Sequence, residues 1–215
     1  MGVAFHEGDL YVSDMNRIVV LRDIENHLDT PPRPEPVGAE LPYRPGDHSW
    51  KFIAFGPDNR LYVPIGAPCN ICDVGHEFGR IISMAPDGTD RRDVAFGIRN
   101  SVGLTWRPGT DTLWFTDNGR DNMGDDVPAD ELNRLDRVGQ SFGYPYCHQA
   151  MCRTRNSAGS THAANSRRPP CCWARMSRRW GCGFMKAASF QPPITQHHDC
   201  RTWIMEPQPA CGVIR

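Results

Sequence analysis

A repeated unit of strand, turn and strand is the feature that most constrains what this chain can fold into. Its three copies begin at Gly2, Phe52 and Gly103, about 51 residues apart. In each copy a short apolar strand leads through a turn rich in Gly, Pro and Asp into a strand rich in aromatic and β-branched residues. Self-similarity at a fixed period of this kind is typical of repeat architectures.

A third strand is predicted after each hairpin, at residues 17–21, 80–84 and 131–135. A period near 50 residues with several antiparallel strands per unit predicts an all-β fold built from β-propeller blades. The alternative is an ordinary sandwich with three similar hairpins, but the recurrent spacing and the lack of helical periodicity favour the propeller. Since propellers close with roughly four to eight blades, three blades predict a partial propeller or an assembly of chains.

The charge distribution breaks near residue 150. Residues 151–215 hold ten Lys and Arg against two Asp and Glu, which leaves 14 and 23 in residues 1–150, so the net charges are +8 and −9. Six of the nine cysteines also lie in the later part. The overall charge of −1 gives no sign of a nucleic-acid or membrane partner. The sequence contains no apolar run of roughly 20 residues, which is the length that a membrane span requires.

His48 follows Asp47 directly before the second hairpin, where a propeller places its strand ends and loops around the central mouth. A histidine can take a proton near neutral pH, and a neighbouring carboxylate can orient it. Arg99 and Asn100 stand in the same relation to the third hairpin and suit an anionic ligand. The alternatives are a surface histidine that caps a strand and a strand-end ion pair.

Two further segments between the strands carry possible ligands. Residues 117–126 hold Asp and Asn oxygens among turn-forming glycines, which suits a hard cation. Their spacing does not fit an EF-hand, and a solvated acidic loop is the alternative. Cys69 and Cys72 have CxxC spacing without a matched second pair, so a local disulfide or two free thiols is favoured over zinc.

With these segments placed, the chain resembles the soluble quinoprotein sugar dehydrogenases of the glucose/sorbosone dehydrogenase family. The resemblance covers about residues 2–149, and the Cys69–Cys72 segment looks more like the sorbosone branch. It implies one part of a six-bladed propeller that uses pyrroloquinoline quinone (PQQ) and calcium. The motifs are Gly-Asp-His at 46–48, Phe-Gly-Pro-Asp at 55–58, Gly-Ile-Arg-Asn-Ser-Val-Gly-Leu at 97–104, Asn-Gly at 118–119, Asp-Glu-Leu-Asn at 130–133 and Phe-Gly-Tyr-Pro at 142–145.

The resemblance implies a catalytic group made of His48, Asp47 and Arg99. His48 matches the general base that takes the proton of the sugar C1 hydroxyl as a hydride passes to the quinone. Asp47 matches the neighbour of that base in the site. The implied substrate is a small sugar, and the electron acceptor is left open.

The same resemblance implies a cofactor and metal site. His48, Arg99, Asn100 and Asn118 match residues on the PQQ side, where the arginine and the asparagine after it contact the quinone. Gly119 and Arg120 match positions whose backbone carbonyls bind the catalytic calcium. Arg120 stands where the glucose enzymes have a proline, a change that keeps the carbonyl but alters the loop.

Residues 150–215 form the second predicted region, a basic, Cys-rich tail without strand alternation. Enrichment in Arg, Cys, Pro and Trp is what a GC-rich gene yields when it is read out of frame. Residues 181–187 and 201–207 can be encoded by codons whose shifted frames resemble later blades of the family. The hypothesis is a frameshift between about residues 149 and 165, another before Arg201, and a disordered tail. The alternative is a genuine tail that binds metal or nucleic acid.

The functional interpretation is a fragment of a PQQ- and calcium-dependent sugar dehydrogenase, expected to be inactive by itself. A non-enzymatic propeller fragment that binds a ligand or partner is the alternative. No signal-peptide pattern is visible, and the first residues run straight into a strand pattern, which is expected of a fragment and does not indicate a cytoplasmic location. The resemblance implies a periplasmic or secreted location, where disulfides persist.

Overall fold

The fold was analysed in a computed structural model, which describes residues 2–46, 48–124, 128–148, 152–153 and 174–176. Within these ranges the protein is all-β, with one 3-10 turn at Ile24–Asn26 and no α-helix. Three main sheets follow one another along the chain, each built on one of the three sequence repeats. No helix in this described part is long and apolar enough to cross a membrane.

The first sheet is an antiparallel meander whose four strands lie in chain order. The turn between its first two strands is built on Gly8, whose φ of 89° favours glycine. The strands are β1 (Val3–His6), β2 (Asp9–Ser13), β3 (Ile18–Leu21) and β4 (Glu35–Pro36).

The second sheet repeats this arrangement and has a fifth strand at one edge, whereas the third sheet has three consecutive strands and a distant strand in the fourth place. In the second sheet, β12 runs parallel to β8, while all its other pairings are antiparallel. Its strands are β5 (Ala54–Phe55), β6 (Leu61–Ile65), β7 (Arg80–Met84), β8 (Arg92–Phe96) and β12 (Gln140–Ser141). The third sheet contains β9 (Leu104–Trp106), β10 (Leu113–Asp117), β11 (Asp130–Arg134) and β15 (Ala174–Met176).

The second sheet lies between the other two and is buried on both faces. Ile82 and Met84 join a core with Tyr11, Ile18 and Val20 of the first sheet. The opposite face of the second sheet joins a separate core with the third sheet, through Ile81, Val94, Ala95, Leu104, Leu113 and Phe115. Neighbouring residues of one strand point to opposite faces, so β7 supplies both cores.

The outward face of the first sheet is apolar and open to solvent. On β1 the side chains of Val3 and Phe5 are 63% and 49% exposed. They pair across the strands with Val12 and Leu10, which share the same face. This face has the composition of a surface that packs against another sheet.

The three predicted hairpins and their third strands are confirmed by the strand pairings. The sequence interpretation did not predict the fourth strands β4 and β8. In the tail expected to be irregular, β14 (Cys152–Arg153) pairs with β13 (Cys147–His148), and β15 pairs with β11. The remainder of that tail lies outside the described residues, so its disorder and its frameshift stay predictions.

Candidate functional site

Asp117 organises the backbone of the segment that carries Arg99 and Asn100. It ends β10 and is 6% exposed. Its two carboxylate oxygens accept the backbone N–H groups of Arg99 at 3.0 Å and of Asn100 at 2.6 Å. Burial, and after it the charge of Glu131, raise the pKa of the Asp117 carboxyl, while these hydrogen bonds and the Arg99 charge act in the opposite direction. Asp117 therefore fixes the backbone position from which the Arg99 side chain extends.

Arg99 is 4% exposed, and each of the five N–H donors of its guanidinium has an acceptor. Nε donates to the Asn70 carbonyl at 3.0 Å, and Nη2 donates to Asn70 Oδ1 at 2.8 Å and to Asp121 Oδ2 at 2.9 Å. Nη1 donates to the carbonyls of Asn118 at 3.2 Å and Gly119 at 2.8 Å. The predicted quinone-side arginine and the predicted calcium carbonyl are thus in direct contact.

Asn70 lies inside the four-residue ring, residues 69–72, that the Cys69–Cys72 disulfide closes. This confirms the local disulfide, one of the alternatives to zinc. The Tyr144 hydroxyl lies beneath the ring, 3.2 Å from the donating backbone nitrogen of Cys72 and 3.4 Å from the Asn70 carbonyl. Burial raises the pKa of Tyr144, so its hydroxyl keeps its proton as a donor.

His48 is joined to this network through Ala67. Its Nδ1 lies 2.8 Å from the Ala67 carbonyl, and the Ala67 N–H donates to the Arg99 carbonyl at 2.8 Å. Because a carbonyl only accepts, Nδ1 carries the hydrogen, and Nε2 is the basic nitrogen of the neutral ring. His48 is therefore held in the tautomer that a general base acting through Nε2 requires.

The backbone around His48 depends on a close approach by Gly66. His48 adopts a left-handed φ of 53°, which is uncommon for a residue with a side chain. A Cβ at Gly66 would lie 2.6 Å from both the Cβ and the carbonyl oxygen of His48. A glycine at position 66 therefore lets the end of β6 pass directly beneath the histidine.

The loop after β10 brings Gly119 and Arg120 to the other side of Arg99. The N–H of Gly119 donates to Asp130 Oδ1 at 2.9 Å, and that of Asn118 donates to the Asn100 carbonyl at 3.0 Å. Among the described residues, the buried Arg120 Nε has no hydrogen-bond partner. A small cavity of about 20 Å³ lies beside the loop after β10. Its lining includes Arg99, Asp117, Asn118, Gly119, Glu131 and Tyr144.

The structure thus brings together Arg99, Asn100, Asn118 and Gly119, and ties His48 to them through one shared residue. Asp47, the predicted neighbour of the base, lies outside the described residues. Among those described, no group of three or more His, Cys, Asp or Glu side chains could hold a metal ion. The sequence interpretation did not include Asn70 or Tyr144 among the site residues. The position of Asn70 between Cys69 and Cys72 was a sequence signal for a fixed side chain, whereas Tyr144 had no signal other than its membership in the Phe-Gly-Tyr-Pro motif.

A family model for Glucose / Sorbosone dehydrogenase matches residues 38–192. The chain belongs to the Glucose / Sorbosone dehydrogenase family. The matched range includes His48, Arg99 and Gly119. It begins after the first sheet and runs past residue 149, where the sequence interpretation ended the resemblance.

This Glucose / Sorbosone dehydrogenase family member is similar in sequence or in structure to several proteins, among them sugar dehydrogenases. The chain is 29% identical over 155 residues to an uncharacterized protein of Borreliella burgdorferi, covering 68% of this chain and 41% of that protein. A putative oxidoreductase (glucose dehydrogenase) from Thermus thermophilus is 25% identical, with a TM-score of 0.55 over 71% of this chain and 52% of that one. The holo pyranose dehydrogenase PQQ domain from Coprinopsis cinerea is 16% identical, with a TM-score of 0.59 over 70% and 44%.

The chain therefore spans about half the length of the relatives that it matches or less, from 41% to 52% in these three. The second of the two solved structures is under 25% identical and supports the fold alone. Together these findings agree with an all-β, β-propeller type of fold and with a sugar oxidoreductase-like segment.

Proposed function

We propose that this chain supplies one part of a PQQ- and calcium-dependent sugar dehydrogenase, in which His48 is the general base and Arg99 faces the cofactor. The observation that carries the proposal is Ala67, whose N–H and carbonyl connect Arg99 and His48 at 2.8 Å each. One residue thereby sets the spacing between the proposed proton acceptor and the segment that carries the cationic group. The family match and the sugar dehydrogenase neighbours support this assignment.

The residues fit an anionic cofactor. Within the part of the chain that the structure describes, Arg120 Nε is a buried donor without a partner, and such a donor costs free energy until an acceptor reaches it. Arg99 adds a guanidinium held in a fixed orientation, with Asn100 beside it. Arg99, Asn100, Asn118 and Arg120 would hold the carboxylate and carbonyl oxygens of a quinone such as PQQ.

The residues also fit a hard cation. The carbonyls of Asn118 and Gly119 converge on one positively charged group, Arg99 Nη1, at 3.2 and 2.8 Å. A carbonyl oxygen has two lone pairs, so Gly119 can keep this bond and still ligate calcium. Gly119 and Arg120 would supply backbone carbonyls, the kind of oxygen ligand that calcium accepts.

His48 performs the step that the chain itself contributes. Its Nε2 accepts the proton of the sugar C1 hydroxyl, while Nδ1–H···O=C at Ala67 keeps the ring from rotating and disperses the charge that develops. When bound, the quinone supplies the hydride acceptor and calcium supplies a Lewis acid beside it. We also propose an oxidising, periplasmic or secreted location, which the Cys69–Cys72 disulfide supports.

The test is a fluorescence titration of the purified chain with PQQ, in calcium and again in excess chelator. We expect calcium-dependent binding that Arg99→Ala abolishes and that Arg22→Ala, in an exposed ion pair with Asp9, leaves intact. We expect no dye-coupled aldose oxidation by the chain alone, because other parts of a whole enzyme are needed for turnover. Absence of PQQ binding in calcium would instead support a non-enzymatic propeller segment.

A further inference from the structure

We propose that Asn70, locked in the Cys69–Cys72 disulfide ring, is a positioning residue that presets Arg99 for its ligand. The identity of the ligand in this inference rests on the proposed function, in which Arg99 is the cation that faces the cofactor. Its structural content is separate: one residue, whose backbone lies in a covalent ring, decides the orientation of a buried guanidinium.

The contacts are those of a two-point grip. The Asn70 carbonyl accepts Arg99 Nε–H at 3.0 Å, and Asn70 Oδ1 accepts from Nη2 at 2.8 Å. Two bonds to adjacent nitrogens of a planar fork fix both its position and its rotation. By comparison, hydrogen bonds through Nη1 alone would leave the guanidinium plane free to rotate about that nitrogen.

The grip is itself held on three sides. The disulfide closes the ring around Asn70, and the Tyr144 hydroxyl lies 3.4 Å from the Asn70 carbonyl. On the third side Asn70 Oδ1 accepts the Asp121 N–H at 2.8 Å, and Asn70 Nδ2 donates to the Asp121 carbonyl at 3.2 Å. Asn70 is therefore preorganised before any ligand arrives, and preorganisation lowers the entropic cost of binding.

The grip also leaves one replaceable position on Arg99. Of the five acceptors, the Asp121 carboxylate belongs to a side chain that is 70% exposed, whereas the Arg99 side chain is 5% exposed. A ligand carboxylate can take that place on Nη2 without disturbing the two bonds to Asn70. Asn70 thus decides where an anion meets Arg99.

The experiment compares the whole chain with Asn70→Ala, Asn70→Asp and the double variant Cys69→Ser/Cys72→Ser. The first readout is solvent exchange of the Arg99 Nη2–H, which donates to Asn70 Oδ1 at 2.8 Å, measured by NMR, with the Arg60 Nη1–H, which donates to Asp90 Oδ2 at 2.9 Å, as the internal reference. We expect exchange about tenfold faster at Arg99 in Asn70→Ala and in the double serine variant, and little change at Arg60. Asn70→Asp keeps the carbonyl and the Oδ1 acceptor and should restore protection.

The second readout is affinity for PQQ in calcium, expected to fall about three- to tenfold in Asn70→Ala. Unchanged Arg99 exchange in Asn70→Ala, or equal acceleration at Arg60, would overturn the positioning role. If the unmodified chain fails to bind PQQ, the proposed function fails, and the exchange measurement still decides whether Asn70 sets Arg99. Cys147→Ser, which keeps the disulfide, is the control for cysteine loss.

Discussion

Arg99 and His48 are held in place by different physical means, although Ala67 connects them. Arg99 is fixed by polar contacts: Asp117 binds its backbone, and all five guanidinium donors have acceptors. His48 is placed by backbone shape, with a left-handed φ of 53° above a glycine at position 66. The position of Arg99 is thus set by polar contacts, and the position of His48 by steric clearance.

This difference between polar fixation of Arg99 and steric placement of His48 indicates which substitutions each of the two segments tolerates. A hydrogen-bonded cluster loses free energy when one member is removed, because the partners left behind are buried and unsatisfied. A sterically defined turn loses its shape when an atom is added. Deletions should therefore damage the Arg99 side, and additions should damage the His48 side.

The largest expected effect is that of Asp117→Ala. It leaves the N–H groups of Arg99 and Asn100 without their acceptor in a site where Asp117 is 6% exposed. We expect the free energy of unfolding to fall by about 3 kcal/mol, a value moderated by the cost of burying a carboxylate whose pKa is raised. Urea unfolding measures it.

Two variants calibrate that result. Asp117→Asn keeps one acceptor oxygen and should lose about half as much. Asp111→Ala, on an exposed turn of the same sheet, should be close to neutral. Equal losses for Asp111→Ala and Asp117→Ala would mean that Asp117 does not organise the Arg99 segment.

The next effect is that of Gly66→Ala on the His48 side. The new methyl group would lie 2.6 Å from His48 Cβ and from the His48 carbonyl oxygen, so the backbone must shift. We expect a loss of about 2 kcal/mol and displacement of the His48 ring signals in NMR spectra. Gly8→Asn, at a left-handed position with open space around it, tests whether any glycine replacement does the same. Native His48 signals in Gly66→Ala would contradict the steric account.

A pH dependence is expected from Lys51, which ties the His48 segment to the first sheet. Its ammonium donates to the carbonyls of Met15 and Ser49, and burial lowers its pKa from 10.5 to about 8. Between these values the unfolded chain holds a proton that the folded chain has lost. Stability therefore rises with pH over this window, by about 1–2 kcal/mol.

Lys51→Met tests this dependence, because it retains the apolar stem and removes the titrating group. Its unfolding free energy, measured by urea titration at several pH values, should lack the rise between pH 8 and 10.5. The same slope in both proteins would assign the dependence to another group.

The local patterns of the fold could be predicted from the sequence, because they repeat within a few residues. Alternation and turn residues placed a strand at residues 80–84, which is β7 (Arg80–Met84). The fourth strands were not predicted because β8 (Arg92–Phe96) opens with two charged residues and β4 (Glu35–Pro36) contains a proline. Their pairing depends on the neighbouring strand and not on their own propensity.

The site divides in the same way. Arg99, Asn100 and Gly119 could be proposed from the sequence because they belong to contiguous motifs. The contacts of Asn70 with Arg99, 29 positions apart, and the place of Ala67 between His48 and Arg99 exist only after the sheets have packed. A backbone carbonyl has no residue-type signal, so the Ala67 acceptor could not be predicted from sequence.

The smallest expected change in stability is that of Asp121→Asn, and it sharpens the comparison most. Asp121 is 70% exposed, and ion pairs with an exposed member contribute little. We expect a loss below about 1 kcal/mol, since Asn70 and the loop carbonyls still hold Arg99. Asp14→Asn, in an exposed pair with Arg17, is the matched control.

The same variant should strengthen binding of an anionic ligand, because it removes the carboxylate that competes for Arg99 Nη2. We expect PQQ affinity in calcium to rise by about twofold or more, as one unit of negative charge leaves the site. Weaker binding would show that Asp121 supports the bound state and does not stand in for the ligand. Arg99 would then need the carboxylate to hold its orientation, and polar contacts other than the Asn70 grip would define this side of the site.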